Sequence, residues 1–248
     1  MGKVLEIIVG DWKEVSAELV ARTIKDIEQS QRTGTPKYFV AAAKGSSPKE
    51  LYDTLIKSGF DFSGVMAFPL DCDIESSKGF DDLKKALPAS IDLGNFSFID
   101  KTEPSLINAC QDYGSLIAAY GIDLAVMGLG ANPTHVASNF PPTPKHIGVH
   151  LVQKVDAEGK PTGVYALTMG IGTLTSARKG ILLASGEGKA DAIKSTLESA
   201  ENAFCPPSYL RNMDNLIVAL DKGAASKLSF DALRQMYSDR KLILRYEA

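Results

Sequence analysis

Residues 37–58 have the sequence KYFVAAAKGSSPKELYDTLIKS, in which a short turn separates a strand from a helix. The aromatic and β-branched run at 38–40 predicts a strand over residues 37–43, and the small residues after it allow a close backbone approach. Pro48 suits the first position of a helix and Ser47 suits its N-cap, which predicts a helix over residues 49–58. A strand that runs directly into a helix is the repeating unit of an α/β protein.

The same order of strand, turn and helix recurs along the chain. Further strands are predicted over residues 65–70, 122–129, 164–169, 180–185 and 216–221. Further helices are predicted over residues 15–29, 106–120, 172–178, 190–201 and 230–237. Apolar strands that alternate with helices indicate a parallel sheet covered on both faces. The sequence therefore predicts an α/β fold, a single-domain, Rossmann-like three-layer α/β/α architecture with a mostly parallel sheet, spanning residues 1–248.

The composition fits a globular protein of the cytoplasm. With 248 residues, 44% of them hydrophobic, the chain can bury one large core. Its net charge of −3 comes from interspersed acids and bases, which argues against a nucleic-acid partner. The N-terminal apolar run is too short for a signal peptide or a membrane span, so we expect a cytoplasmic protein without a membrane partner. The sequence leaves the oligomeric state open, a homo-oligomer included.

Cysteines and histidines are too few and too scattered to predict a metal site. The three cysteines lack the paired spacing of a zinc site and the density of a disulfide scaffold: Cys72, Cys110 and Cys205. His146 and His150 stand four apart, but Pro144 and Gly148 argue against the helix that would align them. We expect reduced thiols, no metal and no cofactor.

Four turns follow predicted strands, and ligands of an open parallel sheet bind beyond the carboxyl ends of its strands. The turns comprise residues 44–48, 71–73, 128–135 and 186–189. Gly45, Ser46 and Ser47 at a helix start offer backbone N–H groups, hydroxyls and the positive end of the helix dipole to a phosphate. Lys189, in a second small-residue turn before a helix, can reach the same anion. The alternative for the first turn is an ordinary helix cap.

Asp71 and His135 are the candidates for proton transfer at this edge. Asp71 closes an otherwise apolar strand, where partial removal from water suits a carboxylate to proton shuttling. His135 lies in a turn too rich in glycine and proline to be core, and its imidazole titrates near neutral pH. The alternatives are a turn cap or solvated loop for Asp71 and an inert loop position for His135. The chain has no G-x-S-x-G nucleophile elbow.

These turns resemble, in order, the motifs of the glucosamine-6-phosphate deaminase and 6-phosphogluconolactonase superfamily. Residues 44–48 (KGSSP) resemble the phosphate loop T/S-G-G-S/T-P, and residues 68–73 (FPLDCD) resemble F-x-L/M-D-E-Y. Residues 128–135 (GLGANPTH) resemble G-x-G-x-D-G-H, residues 166–174 (ALTMGIGTL) resemble A-L-T-x-G-x-G-T-L, and Lys189 matches a phosphate-binding lysine. The resemblance implies that Asp71 moves the C2 proton of a sugar phosphate and that His135 assists ring opening. Lys44 and Asn132 are candidate substrate-binding residues.

Three departures from the family pattern bear on the activity. Pro133 stands where an aspartate usually orients the histidine, and Phe140 stands where the deaminases have a glutamate. The basic segment before residue 166 is short, without a clear counterpart for an arginine that contacts phosphate. The run 135–141 (HVASNFP) is closer to the lactonase H-T-A-S-L-F-P than to the deaminase H-I-A-F-N-E-P.

The resemblance implies three functions in order of preference. The first is aldose–ketose isomerisation with deamination of a glucosamine or galactosamine 6-phosphate. The second is hydrolysis of 6-phosphogluconolactone, with His135 activating water. The third is a non-catalytic sugar-phosphate-binding homologue, which the lost acidic partners suggest.

Overall fold

The computed structural model describes residues 3–31, 33, 36–74, 78–93, 105–156 and 158–246. Its strands are β1 (Val4–Val9), β2 (Tyr38–Ala42), β3 (Val65–Pro69), β4 (Asp71–Asp73), β5 (Asp92–Leu93), β6 (Leu124–Ala131), β7 (Thr134–Val136), β8 (His150–Val155), β9 (Pro161–Thr168), β10 (Lys179–Ala184), β11 (Asn215–Leu220) and β12 (Lys241–Tyr246). Its helices are α1 (Trp12–Glu28), α2 (Lys49–Lys57), α3 (Lys78–Ala86), α4 (Ser105–Tyr120), α5 (Ile171–Thr175), α6 (Ala190–Glu198) and α7 (Phe230–Met236).

Eight strands form a parallel sheet in the order β12-β1-β11-β10-β6-β2-β3-β5, and β7 pairs antiparallel with β6. The predicted α/β fold with a mostly parallel sheet is confirmed. The carboxyl ends of β2, β3 and β6 lie side by side because these strands are neighbours in the sheet. That adjacency brings three of the four predicted turns to one edge. The assignment of residues 1–248 to one domain stays a prediction.

Both faces of the sheet are covered by helices. Successive residues of β10 alternate between two cores, with Leu182 in one and Ile181 and Leu183 in the other. The first core takes in side chains of α4, α5, α6 and α7, and the second takes in side chains of α1, α2 and α3. Because side chains of a strand point alternately to opposite faces, an apolar strand needs cover on both sides. The result is the predicted α/β/α layering.

A second, three-stranded sheet has the order β4-β9-β8 and is antiparallel. The prediction that residues 164–169 belong to the parallel sheet is therefore wrong. Strand β9 continues from β8 through a short turn, and strands joined in that way must run antiparallel. The first half of β9 is largely exposed, as expected of an edge hairpin, and the second half is buried beside β4. This small sheet carries Asp71, which lies in β4 opposite Thr168.

Among the residues that the structure describes, no helix has the length and apolar composition that crossing a membrane requires.

Candidate active site

A cavity of about 330 Å³ lies at the carboxyl edge of the parallel sheet, where the predicted turns meet. The structure brings these predicted residues to its wall: Lys44, Gly45, Ser46, Ser47, Asp71, His135 and Lys189. Asn132 is exposed and is absent from the described residues that line the cavity. Sequence reasoning did not select Lys154 and Ser138, which also line it.

The first turn of α2 has no side-chain cap. Pro48, in helical conformation, occupies the position before the helix and makes no side-chain cap hydrogen bond, and the N–H of Lys49 donates to the Ser46 carbonyl at 3.2 Å. The prediction of Ser47 as the N-cap is wrong, because Pro48 is the cap residue and not the first residue of the helix, and Ser47 lines the cavity instead. Gly45 has a φ of 122°, which L side chains rarely adopt, so glycine lets the chain turn here. An uncapped helix start beside a cavity suits an anion.

Lys189 reaches the cavity from the turn after β10. The backbone N–H of Gly186 donates to the Asp221 carboxylate at 2.8 Å, which fixes the start of this turn. No carboxylate of the described residues lies within salt-bridge distance of Lys189, and its burial lowers the pKa of the ammonium group. A partly buried cation without an ion-pair partner favours the binding of an anion, because the anion restores the electrostatic stabilisation that water supplied.

Asp71 is held at both carboxylate oxygens. Lys44 Nζ lies 3.5 Å from Oδ1, and Ser138 Oγ donates a hydrogen bond of 2.6 Å to Oδ2. Ser138 is buried, and its backbone N–H donates to Thr168 Oγ1 at 3.2 Å. The second sheet therefore positions Asp71 twice, once through β4 itself and once through Thr168 and Ser138. The sequence does contain one indication of Ser138: it stands three residues after His135, where the lactonase motif also has a serine.

His135 lies on β7, opposite Gly130 on β6. Its Nδ1 is 2.6 Å from the carbonyl oxygen of Pro133. A carbonyl oxygen only accepts, so Nδ1 carries the proton and Nε2 has the free lone pair of a base. The backbone at Pro133 thus supplies the acceptor that the family pattern assigns to an aspartate side chain, and the expected loss of an orienting partner is wrong in this respect.

Burial lowers the pKa of His135, and the charges of Lys189 and Lys154 act in the same direction. The hydrogen bond to Pro133 and the charge of Asp71 raise it, but the net direction is downward. The ring also packs on Phe140, with 4.6 Å between ring centroids. His135 is therefore neutral at pH 7, the state in which Nε2 accepts a proton.

Lys154 is a cation that sequence reasoning missed. It lies on β8, forms an ion pair with Asp73 of β4, and lines the cavity. The short segment before residue 166 therefore places a lysine at the cavity wall, although the sequence offers no clear counterpart for the family's arginine. Lys154 was overlooked because β8 was not predicted.

The remaining histidines and the cysteines are absent from the described residues that line the cavity. His150 Nδ1 is 3.0 Å from the Gly148 carbonyl, and His146 and His150 are absent from the described lining. All three cysteines are free, and burial raises the pKa of Cys72 to about 12. In the part of the chain that the structure describes, no group of three or more His, Cys, Asp or Glu side chains is arranged to hold a metal.

Asn139 ties the histidine loop to the small sheet, and its removal is expected to destabilise the protein. Its buried Nδ2 donates to the carbonyls of Val136 at 3.0 Å and Met169 at 2.8 Å. Asn139→Ala removes one buried donor from each carbonyl, although the Val136 carbonyl keeps the backbone N–H of residue 139, so we expect urea unfolding to show a loss of about 2 kcal/mol in the free energy of unfolding. The exposed Asn132→Ala serves as control, with an expected change within about 0.5 kcal/mol. Equal losses in the two variants would contradict this role.

The sequence profile of the family described as glucosamine-6-phosphate isomerases/6-phosphogluconolactonase matches residues 10–218. A glucosamine-6-phosphate deaminase of Shewanella loihica is 33% identical over 245 residues, which cover 90% of this chain and 89% of the relative. A glucosamine-6-phosphate deaminase of Corynebacterium glutamicum is 33% identical over 209 residues, 75% of this chain and 81% of the relative.

Two solved structures share the fold. A monomeric glucosamine-6-phosphate deaminase superposes with a TM-score of 0.73 at 23% identity, covering 91% of this chain and 100% of that one. The 6-phosphogluconolactonase from Trypanosoma cruzi gives a TM-score of 0.74 at 22% identity, covering 92% of this chain and 98% of that one. With the profile match across most of the sequence, the chain belongs to the glucosamine-6-phosphate isomerase and 6-phosphogluconolactonase family.

Proposed function

We propose that this protein converts an amino-sugar 6-phosphate into a ketose 6-phosphate and ammonia. The observation that carries the proposal is that one cavity is lined both by Gly45, Ser46, Ser47 and Lys189, which suit an anion, and by Asp71 and His135, which suit proton transfer. The 33% identity to glucosamine-6-phosphate deaminases over most of the chain supports the same reaction.

The phosphate end of the substrate occupies the uncapped start of α2. Backbone N–H groups and hydroxyls of Gly45, Ser46 and Ser47 donate to the phosphate oxygens, and Lys189 supplies the countercharge. Lys154 adds a further cation to Lys44 and Lys189 at the wall and takes the place of the absent arginine. These contacts anchor a dianion without touching the reacting carbons.

Ring opening falls to His135. The neutral imidazole accepts the proton of the anomeric hydroxyl at Nε2 and returns a proton to the ring oxygen, which yields the open aldehyde. The Nδ1–H bond to Pro133 keeps the ring in this tautomer and stabilises the imidazolium that forms in between.

Isomerisation falls to Asp71. Its carboxylate takes the proton from C2, and the electron pair forms the C1–C2 double bond of an enolamine as the C1 carbonyl bond opens onto its oxygen, which takes a proton from solvent. The carboxyl proton is then delivered to C1 as the nitrogen lone pair forms the C2–N double bond. The resulting C2 imine then adds water and releases ammonia, leaving the ketose. Ser138 holds Oδ2 of Asp71 at 2.6 Å, so Oδ1, whose contact with Lys44 is longer at 3.5 Å, is the oxygen that takes the proton.

Lactone hydrolysis is the second candidate, and one observation favours it. Ser138 and Phe140 match the lactonase motif, and Phe140 packs on a neutral His135 whose Nε2 can activate a water molecule for attack on the lactone carbonyl. This route needs no proton transfer at C2.

The deciding experiment incubates the purified protein with glucosamine 6-phosphate, galactosamine 6-phosphate and 6-phosphogluconolactone. Ammonia with ketose 6-phosphate supports the deaminase reaction, whereas lactone opening above the spontaneous rate supports the hydrolase. Calorimetric binding of sugar phosphates without either turnover would establish the third possibility, a non-catalytic binder, and would refute the proposed reaction.

Removal of the Lys189 charge is expected to weaken substrate binding more than chemistry. Lys189→Met should raise KM about tenfold to a hundredfold with kcat changed less than about threefold, because a phosphate contact acts equally in the ground and transition states. Lys194→Met, on the exposed side of α6 with Glu198 as its partner, is the matched control and should leave KM unchanged. A fall in kcat at constant KM would argue against a phosphate contact.

A further inference from the structure

The charge pattern around Asp71 has a consequence for the ligand. Asp71 is the one carboxylate among the described residues that line the cavity. Both of its oxygens are engaged, Oδ1 by Lys44 at 3.5 Å and Oδ2 by Ser138 at 2.6 Å. A positively charged group on a ligand would therefore find no carboxylate without a partner there.

Lys44 is the cation that pairs with Asp71 in this charge pattern. It directly precedes Gly45 of the phosphate loop, and its side chain is only 20% exposed, so its charge acts mainly on the cavity and on Asp71. Charges within a partly buried cavity interact more strongly than charges in water, because less solvent screens them. Any ligand group within reach of Asp71 Oδ1 also lies within reach of the Lys44 ammonium.

The other groups that the structure describes around the cavity do not supply a negative charge that would attract an ammonium group. Lys154 on β8 adds a positive charge at the wall, partly offset by its ion pair with Asp73, and Lys189 adds another. His135 is neutral at pH 7. Pro133 and Phe140, where the family pattern has carboxylates, contribute no negative charge.

We propose that Lys44 is a specificity-determining residue that selects the charge of the ligand at C1 and C2: neutral or anionic groups are accepted and an ammonium group is rejected. The proposal rests on the proposed function, which makes a sugar phosphate the ligand, and refines it by naming the charge that the site accepts at C1 and C2. An amino-sugar 6-phosphate then binds as the free amine, and an aldonate 6-phosphate, with a carboxylate at C1, binds more tightly than its neutral alditol analogue.

Three acyclic 6-phosphates test the proposal because they differ only at C1 and C2. They are 6-phosphogluconate, glucitol 6-phosphate and 2-amino-2-deoxyglucitol 6-phosphate, compared by calorimetry at about pH 6.5, where an amine of this kind is mostly protonated. The full-length protein should bind them in that order, with the ammonium compound weaker than the neutral one by about tenfold or more.

Variants at residue 44 show whether the charge of Lys44 causes this order of affinities. Lys44→Met should bring the neutral and ammonium compounds to within about threefold, since Asp71 then lacks a cationic partner and attracts the ammonium group. Lys44→Arg, which keeps the charge, should restore the order. Lys57→Met removes an exposed lysine from the last turn of α2, outside the described lining of the cavity, and should leave the order unchanged.

The results distinguish failure of the charge selection from failure of the proposed sugar-phosphate function. Binding of all three compounds without the expected order, or an order that persists in Lys44→Met, overturns the charge selection and leaves the sugar-phosphate function standing. Failure of all three to bind overturns the sugar-phosphate function and the charge selection with it. The expected order in the unmodified protein, retained in Lys44→Arg and lost in Lys44→Met, supports both.

Discussion

Asp71→Asn is expected to lower kcat for the amino-sugar 6-phosphate about a hundredfold to ten-thousandfold, the usual contribution of a positioned general base. Asparagine has nearly the shape of aspartate, and its carbonyl oxygen can still accept the hydrogen bond from Ser138. It cannot accept the C2 proton. The phosphate contacts on α2 and Lys189 remain, so KM should change less than about fivefold. Ammonia release and ketose formation measure the effect.

Asp73→Asn is the matched control for Asp71→Asn. Asp73 lies two residues later on the same strand and pairs with Lys154, but it is absent from the described lining of the cavity. We expect it to lose less than about tenfold in kcat, through a less restrained Lys154. Equal losses in the two variants, or near-normal turnover in Asp71→Asn, would remove Asp71 from the reaction. Lactone opening, which needs no C2 proton transfer, should respond far less to Asp71→Asn, so the same variant also separates the two candidate reactions.

The parallel sheet could be predicted because its inner strands are apolar on both faces. Strands β2, β3, β6, β10 and β11 begin and end within two residues of the predicted bounds. The outer pair, β1 and β12, was not predicted. Glu6 interrupts the apolar pattern of β1, and its buried carboxylate is neutralised by Arg22 of α1 and by Arg245, 239 residues away. Because one of its ion-pair partners is so distant in the sequence, the residues around Glu6 do not indicate that its charge is neutralised.

The site could be predicted where it depends on order along the chain, and not where it depends on tertiary contact. The phosphate turn, Asp71 and His135 follow strands, so sheet topology alone predicts their shared edge. Lys154 lies on β8, which pairs antiparallel with β9 and whose mixed polar pattern resembles a loop. The hydrogen-bond acceptor for His135 is the backbone carbonyl of Pro133. Because every residue has a carbonyl oxygen, the sequence does not indicate which one will accept from the histidine. Sequence reasoning therefore identified a missing aspartate but could not identify its replacement.

Gly130→Ala is expected to lower kcat about a hundredfold by displacing His135 without changing any group that carries the chemistry. A Cβ at residue 130 would lie 2.0 Å from His135 Cε1 and 2.3 Å from Nδ1, well inside van der Waals contact. The ring must move, and the 2.6 Å hydrogen bond to Pro133 that fixes its tautomer is lost. A displacement of about 1 Å in a catalytic group can cost about a hundredfold in rate.

The histidine ring gives this prediction a second measurement. Burial lowers the pKa of His135 in the folded protein, so its protonation favours the unfolded chain and the folded state loses stability as the pH falls below about 6.5. In Gly130→Ala the ring moves toward water, so its pKa, followed by NMR of the Cε1 proton, should rise toward the ordinary value and this loss of stability should shrink. Gly128→Ala is the matched control, because a Cβ there would make an ordinary contact of 3.8 Å with Pro48. If Gly130→Ala kept both the rate and the histidine titration of the unmodified protein, His135 would not be the group that opens the sugar ring.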